Sequence, residues 1–174
     1  GADLFESYGG ARLSAMALGV SAGLGFNGMM LPMALSAIGI FASIIGTFFV
    51  KTEEGADQKK LLGSLHKGTN IASVIVVIAA FVLCQLTGMG MPIFIAIIAG
   101  LLAGILIGHA TEYYTSDSYK PTRALASSSE TGAATLMING LALGMKSTAM
   151  PVIIVAIAVM ISFLVCGGTG NVSM

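Results

Sequence analysis

Five stretches of this chain run for about 17–25 residues with scarcely a charge, and nothing else in it limits the possible folds so tightly. They are 4–26, 29–50, 71–87, 91–111 and 149–166. In hydrocarbon every backbone N–H and C=O must be satisfied within its own segment, so each stretch reads as a membrane-spanning helix. The expected fold class is therefore all-α: a polytopic transmembrane helical bundle of about five spans. Composition points the same way. Only 9% of residues are charged, against about 25% in an ordinary soluble domain, and the mean hydropathy is +0.93. Pro32, Pro92 and Pro151 are read near the starts of the second, fourth and fifth spans, where a missing N–H costs little. Residues 131–148 read as a helical lead-in to the fifth span, at the membrane surface or as a cytoplasmic extension of the same helix. The whole of 1–174 is taken as a single membrane domain.

Orientation follows from the basic residues. The connection 51–70 holds Lys51, Lys59, Lys60 and Lys67, and the connection 112–130 holds Lys120 and Arg123. The alternate turns, around Asn27–Gly28 and Gly88–Gly90, carry neither Lys nor Arg. Cytoplasmic loops are enriched in basic residues, so 51–70 and 112–130 are placed in the cytoplasm, and the start of the first helix with them. The formal net charge is zero, and with no basic block a nucleic-acid partner is not expected. Cys84 and Cys166 lack metal-site spacing and read as packing residues. The first apolar run follows acidic residues and not a basic segment, so it does not read as a cleavable signal peptide. A start at GAD without Met suggests a piece of something larger.

Small residues mark helix contacts. Ala96, Gly100, Gly104 and Gly108 recur every fourth position and form a smooth ridge, and Gly19 with Gly23 and Gly140 with Gly144 read the same way. They are structural, not chemical. His66 and His109 have no second ligand nearby in sequence and do not read as metal sites. Tyr113 and Tyr114 fit an interfacial anchor. Glu53, Glu54 and Asp57 read as a solvated loop, and the sequon at Asn171–Ser173 carries no weight.

The opening stretch, GADLFESYGGARLSAM, is the exception to this polarity pattern. Asp3, Glu6 and Ser7 stand at i, i+3 and i+4, hence on one helix face. That face continues through Gly10, Ser14, Ala17 and Ser21, small or weakly polar throughout. Acidic groups at a helix start can simply favour the dipole and the interface. A polar stripe carried inward, however, is unsuited to lipid and marks a candidate ion or proton path. Two carboxylates and a hydroxyl form an all-oxygen set suited to Na⁺, and a crowded carboxylate pair can equally hold one proton. Arg12 falls on the opposite face from Asp3 and is expected to pair with another helix or to snorkel.

These residues resemble a known family. GADLFESY is similar to a signature of the membrane-integral, ion-pumping inorganic pyrophosphatases. EYYTS (Glu112–Ser116), TGAAT (Thr131–Thr135) and GLALG (Gly140–Gly144) follow in that family's order and spacing, and MLPMALSAIGIFASIIGTFFV fits its seventh helix. The resemblance implies an internal fragment covering roughly transmembrane helices six to ten of a larger fold of about sixteen helices. It implies a pump that couples pyrophosphate hydrolysis to Na⁺ and/or H⁺ transport in a bacterial cell membrane. Mg²⁺ would act with pyrophosphate in the full-length protein, K⁺ and Na⁺ are possible activators, and a homodimer in the lipid bilayer is implied. Asp3 corresponds to the aspartate of the family's ion gate, and Glu6 to a glutamate associated with ion selectivity. Ser7 falls beside them as a further oxygen, so Asp3, Glu6 and Ser7 are the possible Na⁺ ligands. The position of Glu6 resembles that in the Na⁺-pumping and dual-pumping bacterial members. No catalytic residue is expected within the fragment, which alone would be inactive, and Gly9-Gly10-Ala11-Arg12 departs from the family's pattern. The alternative is a non-enzymatic secondary transporter or channel subunit using the same acidic face. A purely structural membrane unit, suggested by the glycine ridges, is opposed by that face.

Overall fold

The structure, a computed structural model, describes residues 2–51, 55 and 58–167, with the side chains of residues 2–4, 58 and 59 outside that description. It comprises two compact units, one ending at Phe94 and the next starting at Ile95. The first holds α1 (Ala2–Ser21), α2 (Gly25–Thr47), α3 (Gln58–Thr87) and the first turn of α4 (Gly90–Thr115). The second holds the rest of α4, the short α5 (Lys120–Ser128), a 3₁₀ turn (Ser129–Thr131) and α6 (Ala133–Val165). Five helices are of 20 residues or more, and four of them, α2, α3, α4 and α6, are long and apolar enough to cross a membrane. The all-α membrane class read from the sequence holds. The charged α1 falls outside that set of four.

Glycines set the helix crossings of the first unit. A Cβ added to Gly19 would lie 2.6 Å from the Gly28 carbonyl oxygen, and one added to Gly28 would lie 2.7 Å from the Gly19 carbonyl. The backbones of α1 and α2 thus touch directly, as small residues permit where lipid supplies no drive to associate. Gly46 and Gly68 do the same for α2 and α3, with a Gly46 Cβ falling 2.8 Å from the Gly68 oxygen. Pro32 adds to the first crossing. It has no N–H for the Gly28 carbonyl four residues earlier, and that oxygen is the atom nearest Gly19. Tyr8 donates its hydroxyl to the Ser36 carbonyl at 3.2 Å, and Asn27 donates to the Thr87 carbonyl at 3.1 Å, tying α2 to both neighbours.

Several details differ from the sequence reading. Gly23 is no part of a helix ridge: it sits at φ +75° in the link between α1 and α2, where a left-handed residue ends a helix. Of the ridge glycines, Gly19 meets a neighbouring helix. Among the described residues nothing lies within 4 Å of a Cβ added to Gly100, Gly104 or Gly108. Pro32 and Pro151 lie about two and five turns into their helices, not in the first turn. α3 begins at Gln58, inside the stretch read as the loop 51–70, and α5 lies inside the stretch 112–130. Of the two forms read for the lead-in, a surface segment or an extension of the fifth span, the helix Ala133–Val165 is the second, 33 residues without a break, with Thr131 and Gly132 before its start. The common reason is that backbone bonding carries a helix on until a cap or glycine stops it, whereas an apolar run marks only its oil-facing part. The solvated-loop residues Glu53, Glu54 and Asp57 and the sequon at Asn171–Ser173 lie outside the described residues.

Hydroxyls along the spans are satisfied at home. Thr69, Ser73, Thr87, Thr111, Thr115 and Ser162 each donate to the carbonyl four residues back, at 2.7–3.0 Å. This intrahelical bond removes an otherwise unpaired polar group from oil and identifies these residues as structural. Cys84 is buried at 3% exposure, as a packing residue, whereas Cys166 is exposed.

Candidate functional site

α1 presents two dissimilar faces. Its half-buried positions are Gly9, Arg12, Met16 and Gly19, spaced three, four and three apart and so on one side of the helix. This is the side that meets α2 through Gly19. Glu6, Ser7, Gly10, Ser14, Ala17 and Ser21 are all exposed, and the 100° step per residue puts them roughly opposite. The polar stripe therefore turns away from α2. The Asp3 backbone belongs to the first turn of α1, while its side chain lies outside the described residues.

The neighbouring residues hold this orientation. Tyr8 is pinned to α2 by its bond to Ser36. The Arg12 guanidinium sits 5.0 Å from the centroid of the Tyr8 ring, one turn earlier on the same helix. Such a stack of a cation on a π-face is favourable by about 0.5–1 kcal/mol at an exposed site. Arg12 is thus engaged on its own helix, on the α2 side, away from Glu6 and Ser7. The sequence showed that Arg12 was off the acidic face. It did not show Tyr8 as its platform, although their i, i+4 spacing could have suggested the pair.

Elsewhere, among the described residues, no three of His, Cys, Asp and Glu converge as a metal-binding group. His109 Nδ1 lies 2.9 Å from the Ile105 carbonyl; a carbonyl only accepts, so that nitrogen carries the proton and the ring is turned along α4. At the end of α4, Tyr113 packs edge-on against Tyr114 with centroids 5.1 Å apart, and against Tyr119 at 5.3 Å. Thr122 donates to the Tyr114 carbonyl at 3.1 Å, tying α5 to the end of α4, and Arg123 donates at 2.7 Å to the carbonyl of Asp117 in the link between them. The sequence reading missed α5. The signal was Pro121 in a first turn behind an extended Tyr119, a common helix start.

Comparison with known proteins completes the picture. The family model described as inorganic H+ pyrophosphatase matches residues 1–173. A Bacteroides thetaiotaomicron protein is 48% identical over 97% of this chain and 24% of its own length. A Clostridium tetani protein is 44% identical over 98% of the chain and 25% of its length. Both bear the name "Putative K(+)-stimulated pyrophosphate-energized sodium pump". A Methanosarcina mazei protein named as a K(+)-insensitive pyrophosphate-energized proton pump is 38% identical over 98% of the chain and 25% of its length. The chain thus spans about a quarter of the length of the curated relatives it matches. With its four membrane-length apolar helices and a family match over nearly every residue, the chain belongs to the inorganic H+ pyrophosphatase family as a membrane-embedded segment.

Proposed function

We propose that this segment carries the cation gate of a pyrophosphate-energised ion pump, with Asp3, Glu6 and Ser7 as the oxygens that receive the ion. One observation supports this reading above the rest: the polar stripe of α1 is exposed and turned away from α2, the helix that α1 packs against among the described residues. The exposed Glu6 and Ser7 at its start form the surface a hydrated path or further helices of a pump would meet, whereas Ser21 at its far end donates to the Ala17 carbonyl at 2.9 Å and is satisfied within its own helix. Arg12 is held on the other side by Tyr8, so its positive charge does not cancel the acidic face.

Within that reading the chemistry divides cleanly. Magnesium, which the resemblance implies, finds no cluster of three candidate ligands among the described residues. Hydrolysis of pyrophosphate is assigned, on the family resemblance alone, to parts of the pump beyond this segment, and no step is routed through the metal here. The transported ion is proposed to be Na⁺, with K⁺ stimulation, since the relatives at 48% and 44% identity bear names that state both. A homodimer is proposed on the family resemblance.

The test is Glu6→Ala in a full-length pump carrying this segment, reconstituted into vesicles. Removing one charged ligand costs about 1.5–3 kcal/mol, so ²²Na⁺ uptake per pyrophosphate hydrolysed should fall by about 10–150-fold. Glu6→Asp should recover part of it. Uptake and Na⁺-dependent hydrolysis equal to wild type would remove Glu6 from the path.

A further inference from the structure

The second unit contains a feature that the pump reading does not use. A cavity of about 510 Å³ opens between the end of α4, α5 and α6, with Lys120, Lys146 and Asn139 among its polar lining. A second cavity of about 390 Å³ lies against Leu106 and His109 of α4 and Met150 and Ile154 of α6. Tyr113 and Tyr114 line both, so the two cavities adjoin at the tyrosine pair.

The two halves differ in chemistry in a defined direction. Lys146, Met150 and Ile154 are four residues apart and share one face of α6. Along that face the lining changes from cationic to apolar within eight residues, a rise of about 12 Å. On α4 the lining runs from Leu106 and Ala110 in the smaller cavity to Tyr113 and Tyr114, which line both. The cationic end lies where the sequence places the cytoplasmic surface, beside the loop of Lys120 and Arg123, and tyrosines stand where aromatics favour the headgroup layer. No Asp or Glu is among the residues lining either cavity. A soluble anion would use the lysines and leave the apolar arm empty. A neutral lipid would fill the arm and leave two ammonium groups without a counter-charge.

We propose that this groove binds an anionic phospholipid. Its headgroup phosphate lies between Lys120 and Lys146, with Asn139 as a further donor, and one acyl chain follows Leu106, Met150 and Ile154. Paired lysines at the cytoplasmic end of membrane helices suit a phosphodiester as point charges on flexible stems. The α5 helix, tied to the end of α4 through Thr122, brings Lys120 into the lining of the larger cavity.

The experiment uses a full-length pump carrying this segment, incorporated into nanodiscs of phosphatidylcholine and phosphatidylglycerol and then examined by native mass spectrometry for retained lipid. Wild type should keep phosphatidylglycerol in preference to phosphatidylcholine. Lys120→Gln with Lys146→Gln should lower that retention by about tenfold or more, from roughly 1 kcal/mol for each lysine lost. The matching Lys→Arg pair should retain it, and Ile154→Trp, which blocks the apolar arm with both charges intact, should lose it. Four results would overturn the proposal: equal retention of both lipids by wild type, unchanged retention in the Gln pair, unchanged retention in Ile154→Trp, or displacement of the lipid by inorganic phosphate at millimolar concentration.

Discussion

At single positions the chain separates glycines that cannot change from glycines that can. Gly19 and Gly28 each face backbone at under 3 Å, so Gly19→Ala forces α1 and α2 apart. Gly9 and Gly10, ten residues earlier on the same helix, have nothing within 4 Å of a new Cβ. Overpacking of a tight contact costs about 1–3 kcal/mol. Gly19→Ala should therefore lower the thermal midpoint of the detergent-solubilised full-length protein by about 1–2 °C, while Gly9→Ala should not lower it. A second prediction concerns Tyr8. Tyr8→Phe removes the donor to Ser36 but keeps the ring under Arg12, for a loss of about 0.5–1.5 kcal/mol; Arg12→Ala removes the stack alone. A double-mutant cycle on unfolding should show the two losses nearly additive, since one acts through the hydroxyl and the other through the π-face. The GG and Arg12 in GGAR were legible as a departure from family pattern. Arg12 rests on Tyr8, a through-space relation.

At the scale of elements, α6 is the clearest case. Its 33 residues span about 50 Å, well beyond the 30 Å or so of hydrocarbon. One end must leave the membrane, and the apolar run at 149–166 says which end stays in. Single cysteines introduced at Met137 and at Ile157, in a background with Cys84 and Cys166 replaced by Ala, should be separable with a membrane-impermeant maleimide. Met137→Cys labels from the cytoplasmic face within minutes, and Ile157→Cys stays protected until detergent is added. Equal labelling would mean that α6 is not placed as its hydropathy demands. The spans themselves were readable from sequence because the physics is one-dimensional: oil tolerates a helix, and each helix carries its own bonds. Helix ends were less readable. The expected loop 51–70 contains the first turns of α3 because Leu61, Leu62 and Leu65 continue a helix whose outer face is charged, and charge density alone reads as loop.

For the molecule as a whole, orientation and assembly are the quantities to test. The distribution of Lys and Arg places 51–70 and 112–130 on one side of the membrane. Cysteines at Leu61 and Ala126 should react in inside-out vesicles, and one at Met29 should react only in right-side-out vesicles. Light scattering of the full-length pump in detergent should give twice the protomer mass for the proposed homodimer. The open ridge of Gly100, Gly104 and Gly108 belongs to this scale as well. The sequence marked it as a contact surface, and the chain leaves it uncovered, in a segment that spans only a quarter of its relatives' length.

What the sequence by itself determined is everything set by the exchange of water for oil and by spacing along one helix. That includes the membrane-length apolar runs, the family resemblance, and the shared face of Asp3, Glu6 and Ser7. Only the tertiary structure decided which glycines meet backbone, that the acidic face points away from α2, that Arg12 rests on Tyr8, and that α5 closes a cationic cavity. The division is physical. Hydropathy and periodicity are sums over neighbours in the chain, whereas a 2.6 Å approach between Gly19 and Gly28 exists only once two helices have chosen how to cross.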